Sequence, residues 1–448
     1  MKLRYPHLKK REFYMDRLLA FRDTDLVKIV TGIRRCGKSS LLNMASDILR
    51  SDGIDNEQII EMNFESMEFY DFDSMKMYQY IKDRTIPGRR MYLFLDEVQR
   101  IPEWQNAVNS LRVDIDCDIY ITGSNAFLLS SELSTYLSGR YVQIHMFPLS
   151  FSEFLTFHDY SLKSTLSPSG EQKLMIYKSG ESYDPKELYT AYVRFGGMPA
   201  ITDIGLDQEK VNILLDGIYS AVVVRDILER SQRKISGQRV ITDAVLLRKI
   251  IMFLADNIGN NTSANSIGNT LVNEGLLKLS GRKSKPAPHT VQAYIEALKD
   301  AYIFYECKRF DIKGKEYLRT LGKYYIVDMG LRNYLLGYRD TDIGHILENV
   351  IYLELLRRGY GVAIGKIGAK EVDFIATKTN EKKYIQVTES MNDPATRNRE
   401  LAPLKAIRDN YEKIVIAMNC DFPQTVEGIK IVRAMDFLLE PLVKSDNG

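Results

Sequence analysis

Residues Gly32–Ser39 read GIRRCGKS and satisfy the pattern G-x-x-x-x-G-K-[ST] at every fixed position. Each residue type has a physical task. The glycines let successive backbone N–H groups turn inward around phosphate oxygens, Lys38 carries positive charge to the outer phosphates, and Ser39 offers a hydroxyl to Mg²⁺. Gly32, Ile33, Arg34, Arg35, Cys36, Gly37, Lys38, Ser39 and Ser40 are therefore the expected nucleotide-contacting stretch. Val27–Thr31 (VKIVT) has the composition of a short buried strand, and Ser40–Arg50 has the periodicity of an amphipathic helix. Strand, loop and helix N-terminus follow in the order an anion site needs. A glycine turn before a helix can match the pattern by chance, so a second element is required.

Met91–Val98 (MYLFLDEV) supplies it: an apolar strand that ends in two carboxylates. Asp96 is expected to hold the Mg²⁺ shell, and Glu97 to polarise the water that attacks the terminal phosphate. One carboxylate after a buried strand is often only a solvated end. An Asp-Glu pair downstream of a matched phosphate loop is a stronger signal for ATP binding and hydrolysis.

Further short apolar stretches at Gln58–Glu65, Asp118–Thr122 and Tyr141–His145 are separated by helical segments. The pattern predicts an α/β fold with a parallel sheet covered on both faces, whose ligand sits at the carboxyl ends of the strands. Ser124, directly after a strand in TGSN, is either a sensor of the terminal phosphate or a polar turn. Arg140 in LSGRY is either a stabiliser of transition-state charge, in cis or from a neighbouring subunit, or a structural ion-pair partner.

The chain has 448 residues, which suggests roughly three domains. Hydrophobic content of 45% and charged content of 27% fit globular proteins, and no segment has the length and apolarity of a membrane span. The first residues, MKLRYPHLKKREFY, lack the apolar core of a secretory signal. Cys36, Cys117, Cys307 and Cys420 are scattered without metal-ligand spacing, so a reducing cytoplasm is expected. A net charge of +2 means that nucleic-acid affinity must come from local patches.

Four regions follow: a P-loop domain over 1–160, a helical connector or lid over 161–235, a winged helix-turn-helix over 236–330, and an α/β domain over 331–440. Ser161–Tyr183, rich in Ser, Lys and Gly, reads as a surface insertion or linker, and FGGMPA at Phe195–Ala200 as a tight turn. Helices are expected over Thr242–Asp256, Ser263–Asn273 and Pro288–Asp300, then two strands around a charged turn. From Gly275 to Ile295 there is no acidic residue, while Lys278, Arg282, Lys283 and Lys285 are present. Arg282, Lys283 and Lys285 are the expected DNA contacts, because phosphates need local positive surface. A winged helix serving as a protein–protein spacer, with solvated lysines, is the alternative.

In the last region His345–Arg358 reads as a helix, and Lys370–Ala376 and Lys383–Thr388 as strands of a hairpin. Glu371 and Asp373, two apart on a strand, share a face. Glu348, Asp373 and Gln386 are candidate oxygen ligands for a divalent ion, with Glu371 beside them. Such pairs are otherwise a common solvated face.

The blocks GIRRCGKSSLL, FLDEVQRIPEW, ITGSNAFLLS, LSGRYVQIHMFPLSFSEF, RFGGMPA, VVVRDI, TVQAYIEALKDAYIFY, ENVIYLELLRRGY, EVDFI and YIQVT together resemble a family of prokaryotic AAA-like P-loop ATPases. The resemblance covers most of the chain. It implies an N-terminal ATPase, a winged helix and a C-terminal domain like the PD-(D/E)xK nucleases. The active nuclease pattern has a lysine where this chain has Thr388, and a threonine cannot supply that charge. The resemblance therefore implies a vestigial nuclease site. The expected function is a Mg²⁺-dependent ATPase that repositions C-terminal domains on DNA or a protein partner. An ATP-gated nuclease and a slow regulatory switch or scaffold are the alternatives.

Overall fold

The computed structural model describes residues 8–124, 137, 139–166, 172–229, 241, 243–273, 285–339, 342–420 and 425–441. The chain forms two compact units, Met1–Phe147 with Asp300–Tyr302, and Pro148–Lys299 with Ile303–Gly448.

In the first unit, helix α1 (Glu12–Leu19) is followed by β1 (Val27–Gly32), α2 (Lys38–Ser51), β2 (Ile59–Asn63), α3 (Ser74–Lys82), β3 (Met91–Asp96), α4 (Trp104–Asp114), β4 (Cys117–Gly123) and β5 (Tyr141–Met146). The strands make one parallel sheet in the order β2-β3-β4-β1-β5. The three inner strands are buried at every position, which is why they read as unbroken apolar runs. Leu93, Leu95, Ile119 and Ile121 join Trp104, Val108 and Leu111 in one core cluster. Lys28 and Asp118 break the apolar pattern inside this sheet and pair with each other, both fully buried. The second Asp118 oxygen accepts from Tyr120 OH at 2.9 Å and from the Asp23 amide at 2.8 Å. Burial pulls the Lys28 ammonium below its ordinary value, against the opposing pull of Asp118. Loss of either partner strands a buried charge, at a cost of about 3–5 kcal/mol.

In the second unit, α5 (Phe151–Phe157) leads into β6 (Ser161–Leu166), β7 (Gln172–Lys178) and β8 (Glu181–Tyr183), then α6 (Pro185–Phe195) and α7 (Gln208–Ala221), which continues as a π-helical stretch over Val222–Glu229. The stretch read as an insertion or linker is thus a three-stranded antiparallel sheet. Its polar composition hides the strand signal. The break between units also falls after Phe147 rather than at residue 160. The reason is packing: Phe151 and Phe154 set their rings 5.7 and 5.4 Å from Tyr189 and Tyr192, and the Leu149 amide donates to Gly197 O at 2.7 Å.

Helices α8 (Ala244–Asp256), α9 (Ala264–Asn273) and α10 (Pro288–Asp300) precede the antiparallel pair β9 (Phe304–Asp311) and β10 (Glu316–Ile326). Then come α11 (Met329–Leu336), α12 (Ile343–Arg357), β11 (Gly361–Ile367), β12 (Lys370–Lys378), β13 (Glu381–Ser390), α13 (Pro394–Lys405), β14 (Glu412–Asn419), β15 (Thr425–Val426), β16 (Ile429–Arg433) and α14 (Ala434–Leu439). The eight strands form one mixed sheet, β10-β9-β11-β12-β13-β14-β16-β15. The ribbon expected to close a separate winged-helix domain therefore continues into the last sheet, because β9 pairs in parallel with β11. A domain boundary at residue 330 cuts through this sheet.

Gly196 of FGGMPA packs against the start of α11, where a Cβ on it would lie 2.8 Å from the Gly330 nitrogen, and Gly197 packs against Leu149. A Cβ on Gly197 would lie 2.5 Å from Leu149 O, and one on Gly330 would lie 2.1 Å from Phe195 O. Asp328 secures the junction, accepting from the Gly197 amide at 2.6 Å and the Leu331 amide at 2.9 Å.

Candidate nucleotide site and a second acidic cluster

The loop between β1 and α2 holds two residues in the left-handed region, Arg35 (φ 65°) and Gly37 (φ 103°), and Gly32 stands at φ 146°. Gly32 is fixed by a close approach: a Cβ there would lie 2.2 Å from Met146 O. From inside, buried Arg11 donates to Cys36 O at 3.1 Å and Phe147 O at 2.8 Å. Ile33 and Cys36 are buried, and burial pushes the Cys36 thiol up. Arg34 turns outward to Glu65 at 3.1 Å, and Glu65 also accepts from Arg100 at 2.8 Å. The first amides of α2, from Lys38, Ser39 and Ser40, have no intrahelical acceptor, the first intrahelical bond being Leu41 N–H to Gly37 O at 3.0 Å. Lys38 Nζ donates to Gly32 O at 3.0 Å and Ile33 O at 3.2 Å.

Asp96 ends β3 and is held by three neighbours. Ser39 Oγ donates to its Oδ1 at 3.1 Å, Thr122 Oγ1 donates to the same oxygen, and Asn63 Nδ2 donates to Oδ2 at 3.1 Å. Burial raises the Asp96 carboxyl, helped by the charge of Glu97, while the Thr122 and Ser39 hydroxyls oppose the rise. Thr122 also accepts from the Glu97 amide at 2.9 Å, so one hydroxyl positions both carboxylates. Glu97 sits at φ 55°, ψ 43°, a left-handed backbone that costs a non-glycine residue about 1–2 kcal/mol. Its side chain meets Gln99 Nε2 at 2.5 Å and Ser124 Oγ at 3.4 Å. Lys38, Ser39, Asp96, Glu97 and Ser124 therefore stand together at the carboxyl edge of the sheet. Thr122, Asn63 and Gln99 are the members that sequence reasoning missed. Their only signal is a polar residue at or just past the end of an apolar strand.

Arg140 does not join them. Its carbonyl accepts from the Val27 amide at 2.9 Å, and β5 starts opposite Val27. It stands at the amino edge, a strand length of about 17 Å from the phosphate loop along β1.

In the second unit the acidic residues do converge, around a cation. Lys323 of β10 places Nζ 2.9 Å from Glu348 Oε1 and 3.0 Å from Glu371 Oε1. Tyr325 OH donates to the same Glu348 oxygen at 2.6 Å, and Asn261 Nδ2 donates to Glu371 at 3.0 Å. Burial pulls Lys323 down, but Glu348, Asp373 and Glu371 outweigh it and hold the ammonium above its ordinary value. Burial, then the charge of Glu348, drives Asp373 well above the usual carboxylate range. Asp373 accepts from the Val387 amide at 2.8 Å, and Gln386 donates to Glu400 at 3.0 Å. Among the described residues no group of three His, Cys, Asp or Glu side chains is placed to hold a metal ion. Thr388 turns to Ser390 O at 3.4 Å, and Lys370 points to Ala402 O at 3.2 Å. Of the expected DNA contacts, Arg282 and Lys283 lie outside the described residues. Lys285 is exposed and donates to Asn265 at 2.7 Å. No helix among the described residues is long and apolar enough to cross a membrane.

Residues 24–155 match the family model described as "AAA domain", and residues 186–342 match one described as "Domain of unknown function (DUF8612)". A Haemophilus influenzae protein described as uncharacterized is 38% identical over 432 residues, covering 96% of this chain and 98% of that protein. An uncharacterized protein of Methanocaldococcus jannaschii is 31% identical over 390 residues, covering 86% of this chain and 79% of that protein. Among solved structures, the Aeropyrum pernix ORC1 protein in complex with DNA matches at 14% identity and TM-score 0.31, over 73% of this chain and 92% of that chain. AMPPCP-bound DnaA from Aquifex aeolicus matches at 14% identity and TM-score 0.27, over 64% of this chain and 92% of that chain.

Proposed function

The chain belongs to the same family as the Haemophilus influenzae protein and its first unit carries an AAA-type P-loop fold; from that premise we propose that it is a Mg²⁺-dependent ATPase whose nucleotide state repositions DNA- or protein-binding C-terminal domains. The observation that carries the reading is the grouping of Lys38, Ser39, Asp96 and Glu97 at one sheet edge, with Ser39 and Asp96 already 3.1 Å apart. The loop amides and Lys38 bind the phosphates of ATP. Ser39 and Asp96 offer the hard oxygen donors that Mg²⁺ prefers, and the ion would neutralise charge on the outer phosphates. Glu97 takes a proton from the attacking water, and Ser124 senses the terminal phosphate. Arg140, being remote in cis, acts from a neighbouring subunit on that subunit's nucleotide. Arg282, Lys283 and Lys285 contact DNA phosphates.

For the second unit, the Lys323 ammonium favours a contact module over a nuclease. It already compensates the carboxylates that a catalytic cation would occupy. A slow regulatory switch differs from the leading reading only in turnover.

The test compares nucleotide binding with phosphate release for Lys38→Ala and Glu97→Gln. Lys38→Ala loses triphosphate binding. Glu97→Gln keeps ATP bound and slows release by about 10²–10⁴-fold. Unimpaired hydrolysis by Glu97→Gln sinks the assignment.

A further inference from the structure

Helix α10 closes through a residue whose backbone suits glycine better. The Ile303 amide donates to Leu298 O at 3.0 Å, the six-to-one bond that ends a helix through a left-handed residue one place earlier. That residue is Tyr302, at φ 57°. Glycine takes this position without strain, and a bulky residue takes it only where its surroundings hold it there. What tyrosine adds over glycine at this point is its side chain. Asp300–Tyr302 belong to the first unit, whereas the residues before and after them in the chain belong to the second.

The Tyr302 side chain is buried and meets both β1, which leads into the phosphate loop, and its neighbour β5. Its ring lies 4.5 Å, centroid to centroid, from His145 of β5, and its hydroxyl is hydrogen-bonded to Thr31 of β1. Thr31 and His145 are register partners, with Thr31 Oγ1 and His145 Nδ1 3.1 Å apart. Burial, then the charge of Lys38, pulls the His145 imidazole down to about 3, so it packs as an uncharged ring. The next register pair is Gly32 and Met146, the close approach that fixes where the loop begins. β5 is the outer strand of this sheet, with β1 its one strand neighbour among the described residues. We propose that Tyr302 is a positioning residue of the nucleotide site, which clamps β1 to β5 one residue before the phosphate loop and so holds the loop in its phosphate-binding form. The proposal rests on the ATPase reading above and adds to it a residue outside the stretch 24–155 that matches the AAA family model. A clamp that strengthens ATP binding is itself strengthened by bound ATP by the same factor, because coupling between two sites is reciprocal. Bound ATP is then felt at Asp300–Tyr302, from which the chain runs on into β9.

The experiment measures ATP binding, kcat and KM for the full-length wild type, Tyr302→Phe, Thr31→Val and the double variant. Amide exchange over Asp300–Tyr302 is followed with and without ATP. Tyr302→Phe keeps the ring and loses the hydrogen bond. It should weaken ATP binding and raise KM about threefold, with kcat within about twofold of wild type. A tyrosine that served only the fold would lower the active fraction, and with it the apparent kcat, and leave KM in place. In the Thr31→Val background Tyr302→Phe should change ATP affinity by less than about 1.5-fold, since the bond is already gone. Bound ATP should slow exchange of these amides in the wild type, and slow it less in Tyr302→Phe. Unchanged affinity and KM in Tyr302→Phe, or an equal loss of affinity in both backgrounds, overturns this inference alone. The binding and exchange readouts need no turnover. Wild-type protein that binds ATP and releases no phosphate therefore overturns the ATPase reading, while Tyr302 is still judged by them. Wild-type protein that binds no ATP overturns both.

Discussion

Lys323 and Glu348 form a buried ion pair, Nζ to Oε1 at 2.9 Å, between a strand and a helix that come together only through the long-range order of the eight-stranded sheet. The lysine that local sequence seeks at Thr388 is thus replaced by one from β10, but in a different office. Lys323 is shared between Glu348 and Glu371 and is not free to orient a water.

The first prediction is that the protein does not nick DNA in Mg²⁺ or Mn²⁺, with or without ATP. Cleavage needs an activated water and charge compensation at the scissile phosphate. Supercoiled plasmid and a branched substrate are the assays. Cutting that vanishes in Asp373→Ala would return the nuclease reading to first place.

How much of this was legible depends on range. The five parallel strands were visible because burial on both faces makes each a short apolar run. Lys38, Ser39, Asp96 and Glu97 were visible because their spacing is local. Thr122, Asn63 and Gln99 were obscure, since a lone polar residue at the end of a strand names no partner. Lys323 was illegible because β10 reaches β11 only through β9, and nothing near it in sequence fixes which carboxylates it faces. For Arg140 the sequence leaves action in cis, action from a neighbouring subunit and a structural ion pair open, and its place before β5 bears on the choice. A residue just before a parallel strand lies at the amino edge, away from the ligand side.

Asp328 sets a pH dependence of stability. Burial pushes its carboxyl up to about 6, against the pull of the Gly197, Leu331 and Gly330 amides. Below about pH 4 it is protonated in both folded and unfolded chains. Between about pH 4 and about 6 the unfolded carboxyl has ionised while the folded one keeps its proton. The folded state then binds more protons, so stability falls as pH rises through this window, by about 3 kcal/mol in all. Denaturant unfolding across that range should show the fall, and Asp328→Asn should flatten it. An equal slope in the variant would remove Asp328 as its source.

Arg140 at the amino edge leads to a mixing experiment. Arg140→Ala should lower kcat by about a thousandfold if it completes a neighbour's site. Lys38→Ala protein is inactive for a different reason, yet carries an intact Arg140. Mixing the two variants should restore phosphate release, with a dependence on total protein concentration. Full activity of Arg140→Ala alone, or no recovery on mixing, would leave the arginine a structural residue.

DNA affinity, if Arg282, Lys283 and Lys285 grip phosphates, must be electrostatic and therefore steep in salt. Each phosphate contact contributes a slope of about 0.9 in log affinity against log salt on duplex DNA. Reversing all three charges should weaken binding uniformly across sequences and reduce the slope by about 3. The exposed Lys285 is held beside Asn265 at 2.7 Å, which limits its rotamers without neutralising it. Reversal at Lys285 alone should therefore change the slope by about 1 and leave the fold intact. Titrations of labelled duplex at several salt concentrations read both numbers. Unchanged affinity and slope in the triple variant would assign this region to protein contact instead.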